Sequence, residues 1–537
     1  MGEEILDVID PLLVYTILGG FILFYGLVSL IVKEKLYLSE AFVATFVGLI
    51  VGPACLNWIN PMHWENKDQV TEELTRIVLA IQVMAAGINL PRAYITRQFT
   101  SMAIMLLPVM IWMWITSAVI IYHFISELTF LESLLIASCI TPTDPILANS
   151  VVQGSFAEKY IPSNVRHLLS AESGANDGMG FPFMFLALYL LQKSNTTGSA
   201  ISQWIYFVWG YHILFSIVIG IIIGWGAKKL LEIAGSKNWI DKESFLVFAI
   251  ALAIFVVGGV SILGSDALLS CFTAGSILAW DDWFQQETRD AHLQEVIDLL
   301  LTLTTFTYIG MIVPWSRFNS DILSLQRLIP ISILILIFRR LPIVLTLKKF
   351  IPAIHTFKEA MFAGYFGPIG VGAVFLAMTV KNEVEKREND MDANIANRTK
   401  DNVFPIVAFI VISSVVVHGI TVPILNIGSR IDIERLPTIA SISDQVARLP
   451  IVDFVESLSV EHDAQGSVQE EEGIDESDNS VKDEMKTNIL IDLGNGDDEE
   501  VDNQSQSSKN KLSSRNSSES VDNISSDYNN NNQNNQK

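Results

Sequence analysis

Between Pro11 and Ile427 the chain alternates long apolar runs with short polar ones. Each run holds roughly 17–25 residues, the length an α-helix needs to cross a hydrocarbon core about 30 Å thick. The pattern predicts an all-α polytopic membrane protein with about 13 transmembrane helices. The predicted spans are 11–33, 38–57, 73–91, 99–125, 129–151, 164–192, 203–227, 243–262, 264–281, 295–314, 321–347, 357–380 and 402–427. The eighth and ninth are divided by one short polar break, Gly264-Ser265-Asp266. The first run follows Glu3, Glu4, Asp7 and Asp10, not a basic segment, and is read as an uncleaved membrane helix instead of a signal peptide.

Two spans carry helix breakers at comparable places. In the fifth, Pro142 and Pro145 flank Asp144; in the twelfth, Phe366-Gly367-Pro368-Ile369-Gly370-Val371-Gly372 interrupts the apolar run. Pro and Gly are common in membrane helices. Unwound backbone at membrane depth is nevertheless tolerated only where protein buries it or it lines a cavity, and paired breaks in two halves of a chain mark a transporter's binding site. Spans 1–6 and 8–13, joined by one linker span, are therefore expected to form an inverted repeat with two crossed discontinuous helices.

Composition changes the picture only once the chain is divided. The 537 residues are 50% hydrophobic with a mean hydropathy of +0.39, yet the formal net charge is -23. Beyond residue 430, acidic residues outnumber basic ones about three to one, and Ser, Asn, Gln and Gly replace the apolar runs. Such a segment lacks the apolar surface to offset its chain entropy. The expected organisation is a short extracellular N-terminus (1–10), a transmembrane domain (11–427), an amphipathic juxtamembrane segment (428–459, with Val446, Leu449, Ile451, Val452, Phe454 and Val455) and a disordered acidic cytosolic tail (460–537).

Basic residues gather in alternate loops, at Lys33 and Lys35, Arg92 and Arg97, Lys159, Lys228 to Lys242, and Lys348 to Lys358. The positive-inside rule places these loops in the cytosol and Met1 outside. The loop Lys381 to Lys400, with five basic residues, runs against it. The sequons Asn195-Thr196-Thr197 and Asn397-Arg398-Thr399 both fall in loops assigned outside. Cys55, Cys139 and Cys271 lie in apolar runs and suggest no disulfide framework.

The candidate chemistry is carboxylic. Asp144, Glu172 and Asp177 sit inside two adjacent apolar runs. A carboxylate near the bilayer centre costs roughly 2.5–3.5 kcal/mol, so it persists mainly where it faces a water-filled path and does work. Burial favours the neutral acid and a nearby cation favours the carboxylate, so one group can hold a proton or a cation in turn. Asp177 is the first choice for that role; Ser173 lies one helical turn before it, on the same face, and oxygen ligands suit a hard cation.

Thr143-Asp144-Pro145, the Glu172-Ser173 and Asn176-Asp177 pairs, Phe338-Arg339, and His355 to Gly372 with its Phe-Gly-Pro-Ile-Gly-Val-Gly-Ala stretch resemble fungal plasma-membrane sodium/proton antiporters of the monovalent cation/proton antiporter superfamily. The resemblance covers nearly all of Pro11 to Ile427 and not the tail. It implies exchange of cytosolic Na⁺ or Li⁺, with K⁺ a further candidate, for external H⁺. It also implies salt tolerance, cation and pH homeostasis, a plasma-membrane location and a homodimer. The implied cation site is Thr143, Asp144, Ser173 and Asp177, with Na⁺ at Asp144 and Asp177 and support from Asn176, Pro142, Pro145, Gly367, Pro368 and Asp266. Glu172 is expected to form a buried structural ion pair, with Arg339 favoured over Arg340.

Plainer roles stand beside these. Thr143 and Ser173 could make ordinary helix–helix hydrogen bonds. Asp266, followed by Ala267 where relatives often have a second acid, could equally stabilise the dipole of its own helix. Asn176 replaces a second acid of electrogenic relatives, which favours one proton per cation. His212 and His418 read as helix–helix hydrogen bonders, His355 as a solvated loop residue and Glu132 as an interfacial acid. No cofactor and no nucleic acid is expected; the partners are the ions, the bilayer and cytosolic regulators of the tail. Neither Asp144 nor Asp177 has the Gly-x-Gly-Asp pattern of an intramembrane protease, no phosphate-binding Gly-x-x-x-x-Gly-Lys-Ser/Thr motif supports an ATP-driven pump, and a non-transporting sensor would be expected to lose the acids kept here.

Overall fold

The computed structural model describes residues 2–152, 161–288 and 293–430. Lys159, nearly all of the 428–459 segment and the whole 460–537 tail lie outside the described residues. Within them the chain is helical, without strands beyond one isolated bridge between Asn319 and Ser324. The helices are α1 (Gly2–Leu30), α2 (Glu40–Val51), α3 (Lys67–Ile88), α4 (Phe99–Phe124), α5 (Phe130–Cys139), α6 (Pro145–Val152), α7 (Ser163–Asn176), α8 (Gly180–Leu191) and α9 (Thr197–Ser236). They continue with α10 (Lys242–Ile262), α11 (Ala267–Leu278), α12 (Leu293–Ile312), α13 (Leu325–Phe338), α14 (Leu341–Leu347), α15 (Phe357–Tyr365), α16 (Val371–Lys386) and α17 (Ala393–Arg430). Among the described residues, five stretches are long and apolar enough to cross a bilayer unaided: Leu12–Lys33, Phe99–Phe124, Thr197–Ser236, Leu325–Phe350 and Ala393–Thr421. On α1, Leu23, Phe24 and Leu27 are exposed, which suits lipid and not water.

Lipid tails are as apolar as leucine, so helices in a bilayer gain by close backbone approach at small residues. Here α2 meets α12 through Gly48 and Gly310, where an added Cβ would strike the carbonyls of Thr307 and Thr45. Likewise α3 meets α11 at Gly87 and Gly275, and α9 meets α11 at Gly220 and Gly224. This bundle packs beside a second one built from α4, α5, α8, α13, α16 and α17. The two are joined through α3, which touches α7 and α16, and through α7 against α11.

Several expectations need correction. The sixth span is two helices, α7 and α8, parted at Asp177–Met179, and the eleventh is α13 and α14, parted at Arg339 and Arg340, with Pro342 at the start of the second piece. A proline there can open a helix but not continue one, because it lacks the N–H. The supposed loop Lys381 to Lys400 shrinks to residues 387–392, since α16 runs to Lys386 and α17 begins at Ala393; Asn397 therefore stands on a helix. Glu132, expected at the membrane interface, is enclosed by protein near the start of α5. It completes a capping box with Thr129 and is fully buried against Arg398, whose Nη2 lies 2.6 Å from it. Cys55 is exposed beyond the end of α2, whereas Cys139 and Cys271 are buried. The break at Gly264-Ser265-Asp266 falls where expected, with Gly264 at φ +72°. Between α4 and α5, outside the spans, the Glu127 carboxyl accepts hydrogen bonds from Arg327 on the first turn of α13, which hold it below the ordinary range.

Candidate functional site

The two predicted breaks meet. α5 ends at Cys139 and α6 begins at Pro145; α15 ends at Tyr365 and α16 begins at Val371. The Asp144 N–H donates to the Pro368 carbonyl at 2.9 Å, tying one unwound strand to the other. Pro145 suits the first helical position because its missing N–H would be unpaired there anyway. Gly370 leaves room that a side chain would take: an added Cβ would lie 2.6 Å from the Asp144 carboxyl carbon.

Four half-helix ends converge at this crossing, two exposing N–H groups and two exposing carbonyls. Asp144 serves the first pair. Its Oδ1 accepts from the Val371 and Gly372 N–H groups at 2.6 and 3.4 Å, and its Oδ2 from Leu147 at 2.9 Å. Arg339 serves the second pair. Its Nη1 donates to the carbonyls of Ile140, Thr141 and Pro142, and its Nη2 to Gly367 at 2.5 Å. A buried carboxylate and a buried guanidinium thus neutralise the positive and negative ends of the same two broken helices. α17 braces the second break: Ser414 Oγ accepts from the Ile369 N–H at 2.8 Å, and the His418 ring contacts the Ser414 and Tyr365 carbonyls.

Arg339 is therefore not the partner of Glu172, and the expected pairing is corrected. Arg340 is, through Nη1–Oε1 at 2.5 Å and Nη2–Oε2 at 2.6 Å, with its Nε donating to the Ala363 carbonyl at 2.9 Å. The helix breaks between these two arginines, so consecutive side chains leave in different directions, one toward the carbonyl ends and one toward α7. Pro342 was the available signal for that break.

Asp177 lies at the end of α7, 1% exposed, and neither carboxylate oxygen has a hydrogen-bond partner among the described residues. It rests against the first turn of α16, where a Cβ on Gly372 would collide with its Oδ1. Asn176 beside it is committed elsewhere: its Nδ2 donates to Thr143 Oγ1 at 2.7 Å and its Oδ1 accepts from the Thr143 N–H at 3.3 Å. Ser173 donates its hydroxyl hydrogen to the Leu169 carbonyl at 2.9 Å, which leaves its lone pairs free. Asp266 caps α11 through Oδ1, accepting from Leu268 and Leu269 at 3.0 and 3.1 Å, while its Oδ2 is buried without a partner and packs against Gly178. Asp144 abuts Gly370 and Asp177 abuts Gly372, two residues on, while Asp266 abuts Gly178 next to Asp177, so the three acids are neighbours.

The structure thus brings Thr143, Asp144, Asn176, Asp177, Gly367, Pro368 and Asp266 into one buried region around the crossing, with Pro142 and Pro145 shaping its first strand. The His212 ring makes no hydrogen bond across helices among the described residues; it stacks on Phe181 and Phe185 of α8, while the His212 carbonyl accepts from Ser265 Oγ at 3.4 Å. Arg339's grip on the carbonyls, the Ser414 contact and the Glu132–Arg398 pair were missed from the sequence. Buried carboxylate oxygens without hydrogen-bond partners suit a small hard cation or a proton.

The profile of the transmembrane sodium/hydrogen exchanger family matches residues 20–427. A probable Na⁺/H⁺ antiporter of Schizosaccharomyces pombe is 44% identical over 443 residues, covering 80% of this chain and 58% of the relative. A Na⁺/H⁺ antiporter of Saccharomyces cerevisiae is 42% identical over 441 residues, covering 80% of this chain and 45% of the relative. The chain thus spans about half the length of these curated relatives. The solved sodium proton antiporter MjNhaP1 of Methanocaldococcus jannaschii superposes with a TM-score of 0.60 at 20% identity, over 78% of this chain and 98% of that one, which is a likeness of fold.

Proposed function

This chain belongs to the sodium/hydrogen exchanger family, and from that premise we propose that it is a secondary active antiporter exchanging cytosolic Na⁺ for external H⁺ by competition at Asp177. The observation that carries the reading is the contrast between the two central acids. Asp144 is engaged by three backbone N–H groups, whereas both oxygens of Asp177 are buried and free. Asp177 carries the proton or the cation; Asp144 supplies a fixed negative charge that draws the cation in and holds the half-helices together.

Na⁺ binds between them, with Thr143 and Ser173 oxygens completing its shell. As the cation arrives, the Asp177 proton leaves to water; when the site faces the other side, a proton returns to Asp177 and the cation departs. The amide of Asn176 adds no proton, so one proton moves per cation. Asp266, with one free oxygen on the far side of Asp177, strengthens the local negative field. The proposal includes Li⁺ as a substrate and K⁺ as a further candidate, crossed helices in an inverted repeat of about 13 spans, a cytosolic C-terminus, a plasma-membrane homodimer and a role in salt tolerance.

The test is exchange by the purified chain in proteoliposomes with an internal pH dye, offering each alkali cation at clamped voltage. Asp177→Asn abolishes cation-driven proton movement without loss of folded protein. Near-normal exchange by that variant would refute the assignment.

A further inference from the structure

Basic residues crowd the end of the molecule that the charge rule assigns to the cytosol, but they are not alike. Lys33 pairs with Glu40, Lys228 with Asp281 and Lys229 with Glu232. Arg92, Arg97, Lys349 and Lys358 are exposed, Lys348 half-exposed, and none of these five has an acidic partner among the described residues.

One loop gathers four of them. The Lys348–Phe350 turn packs against the start of α4 and leads into residues 351–356. There the Ala353 N–H donates to Ser101 Oγ at 3.0 Å, and the Ala353 carbonyl accepts from Asn164 Nδ2 at 2.7 Å. Ser101 stands one turn after Arg97, and Lys358 lies in the first turn of α15. The acid within reach is already engaged: Glu359 Oε2 accepts from the His355 N–H at 2.9 Å and from Asn164 at 3.1 Å, and its Oε1 from Thr356 Oγ1 at 3.1 Å. Phe99, Phe350 and Phe357 stand among the basic residues, 67%, 63% and 58% exposed.

Exposed Phe rings interleaved with unpaired Lys and Arg match the boundary of a leaflet that carries negative charge, where the apolar rings bury at the edge of the acyl chains and each basic residue adds attraction to the headgroups. We propose that this face, centred on Arg97, Lys348, Lys349 and Lys358, docks anionic phospholipid headgroups of the cytosolic leaflet. The surface lies at the N-terminal end of α15, whose other end is the second break, so an occupied surface steadies the helix that presents Gly367 and Pro368 to the site. The inference rests on the orientation proposed above.

The experiment compares full-length protein in phosphatidylcholine vesicles with protein in vesicles that also contain phosphatidylserine, reading apparent melting temperature and cation-driven exchange. Addition of phosphatidylserine raises both in the native chain. A combined Arg97→Gln, Lys348→Gln, Lys349→Gln, Lys358→Gln variant loses at least about half of the rise in melting temperature, because each basic residue contributes separately. It keeps native behaviour in phosphatidylcholine alone, and a Lys229→Gln control keeps the full response. An equal response in the fourfold variant, no response in the native chain, or reproduction of the effect by inorganic phosphate without phosphatidylserine overturns the proposal. Melting reads the surface even if exchange is absent, and absent exchange in both lipids counts against the transport reading alone.

Discussion

Removing Arg340 and Glu172 singly and together tests the arrangement most sharply, because the two adjacent arginines make opposite predictions. The Arg340–Glu172 side chains are 3% and 1% exposed and share two short hydrogen bonds. Arg340→Ala strands the Glu172 carboxylate, a loss of about 3–5 kcal/mol for a buried pair broken from one side. It also removes the bond to Ala363, worth about 0.5–1.5 kcal/mol. Glu172→Gln added to Arg340→Ala removes the stranded charge and restores a large part of the loss, so the double variant is more stable than the sum of the singles by about 2 kcal/mol or more. Arg339→Ala uncovers carbonyl ends instead, and Glu172→Gln does not rescue it. Apparent melting temperatures in one detergent and lipid mixture measure all five proteins against the native chain. Equal rescue of Arg339→Ala and Arg340→Ala, or no rescue of Arg340→Ala, refutes the assignment.

Asp266→Asn keeps the oxygen that caps α11 but removes a charge near Asp177; melting temperature stays close to native while the Na⁺ concentration for half-maximal exchange rises on the order of tenfold, and an unchanged value would remove Asp266 from the site. Asp266→Ala additionally loses the cap, about 1 kcal/mol, read as a lower melting temperature than Asp266→Asn. Gly372→Ala places a methyl group against Asp177 Oδ1 and should suppress exchange in a protein that still reaches the membrane; native exchange would show that the contact is not tight. A chain ending near Ser459 keeps every residue of the crossing and is expected to retain exchange in proteoliposomes, whereas its loss in a folded truncation would make the tail part of the transport machinery.

How much of this was legible beforehand depends on whether an element is set by neighbours in the chain. Single prolines such as Pro330 and Pro405 remain inside helices, but the clusters at 142 and 145 and at 367, 368 and 370 put several breakers within one turn and interrupt theirs, and the cost of a buried acid singles out Asp144 and Asp177 in any fold. Those local signals located both breaks and the principal acids. The break between Arg339 and Arg340 was also announced locally, by Pro342, but the apolar run through it concealed the interruption.

Partnership was a different matter. Arg339 and Arg340 are the same residue type at adjacent positions, and pattern alone does not tell which faces α7 and which faces the carbonyl ends. The break at that point decides it, with Arg339 bonded to the carbonyls that follow α5 and Arg340 to Ala363 on α15 and Glu172 on α7. The division between Asp144, held by N–H groups from two helices distant in the chain, and Asp177, left free, has the same origin. So does the link of Glu132 to Arg398. By itself the sequence determined where two of the helices had to break and which charges could not be idle; the tertiary structure alone showed the further breaks at Asp177–Met179 and at Arg339 and Arg340 and decided which charge answers which helix end, because electrostatic pairing depends on distance in space and residue order does not encode it directly.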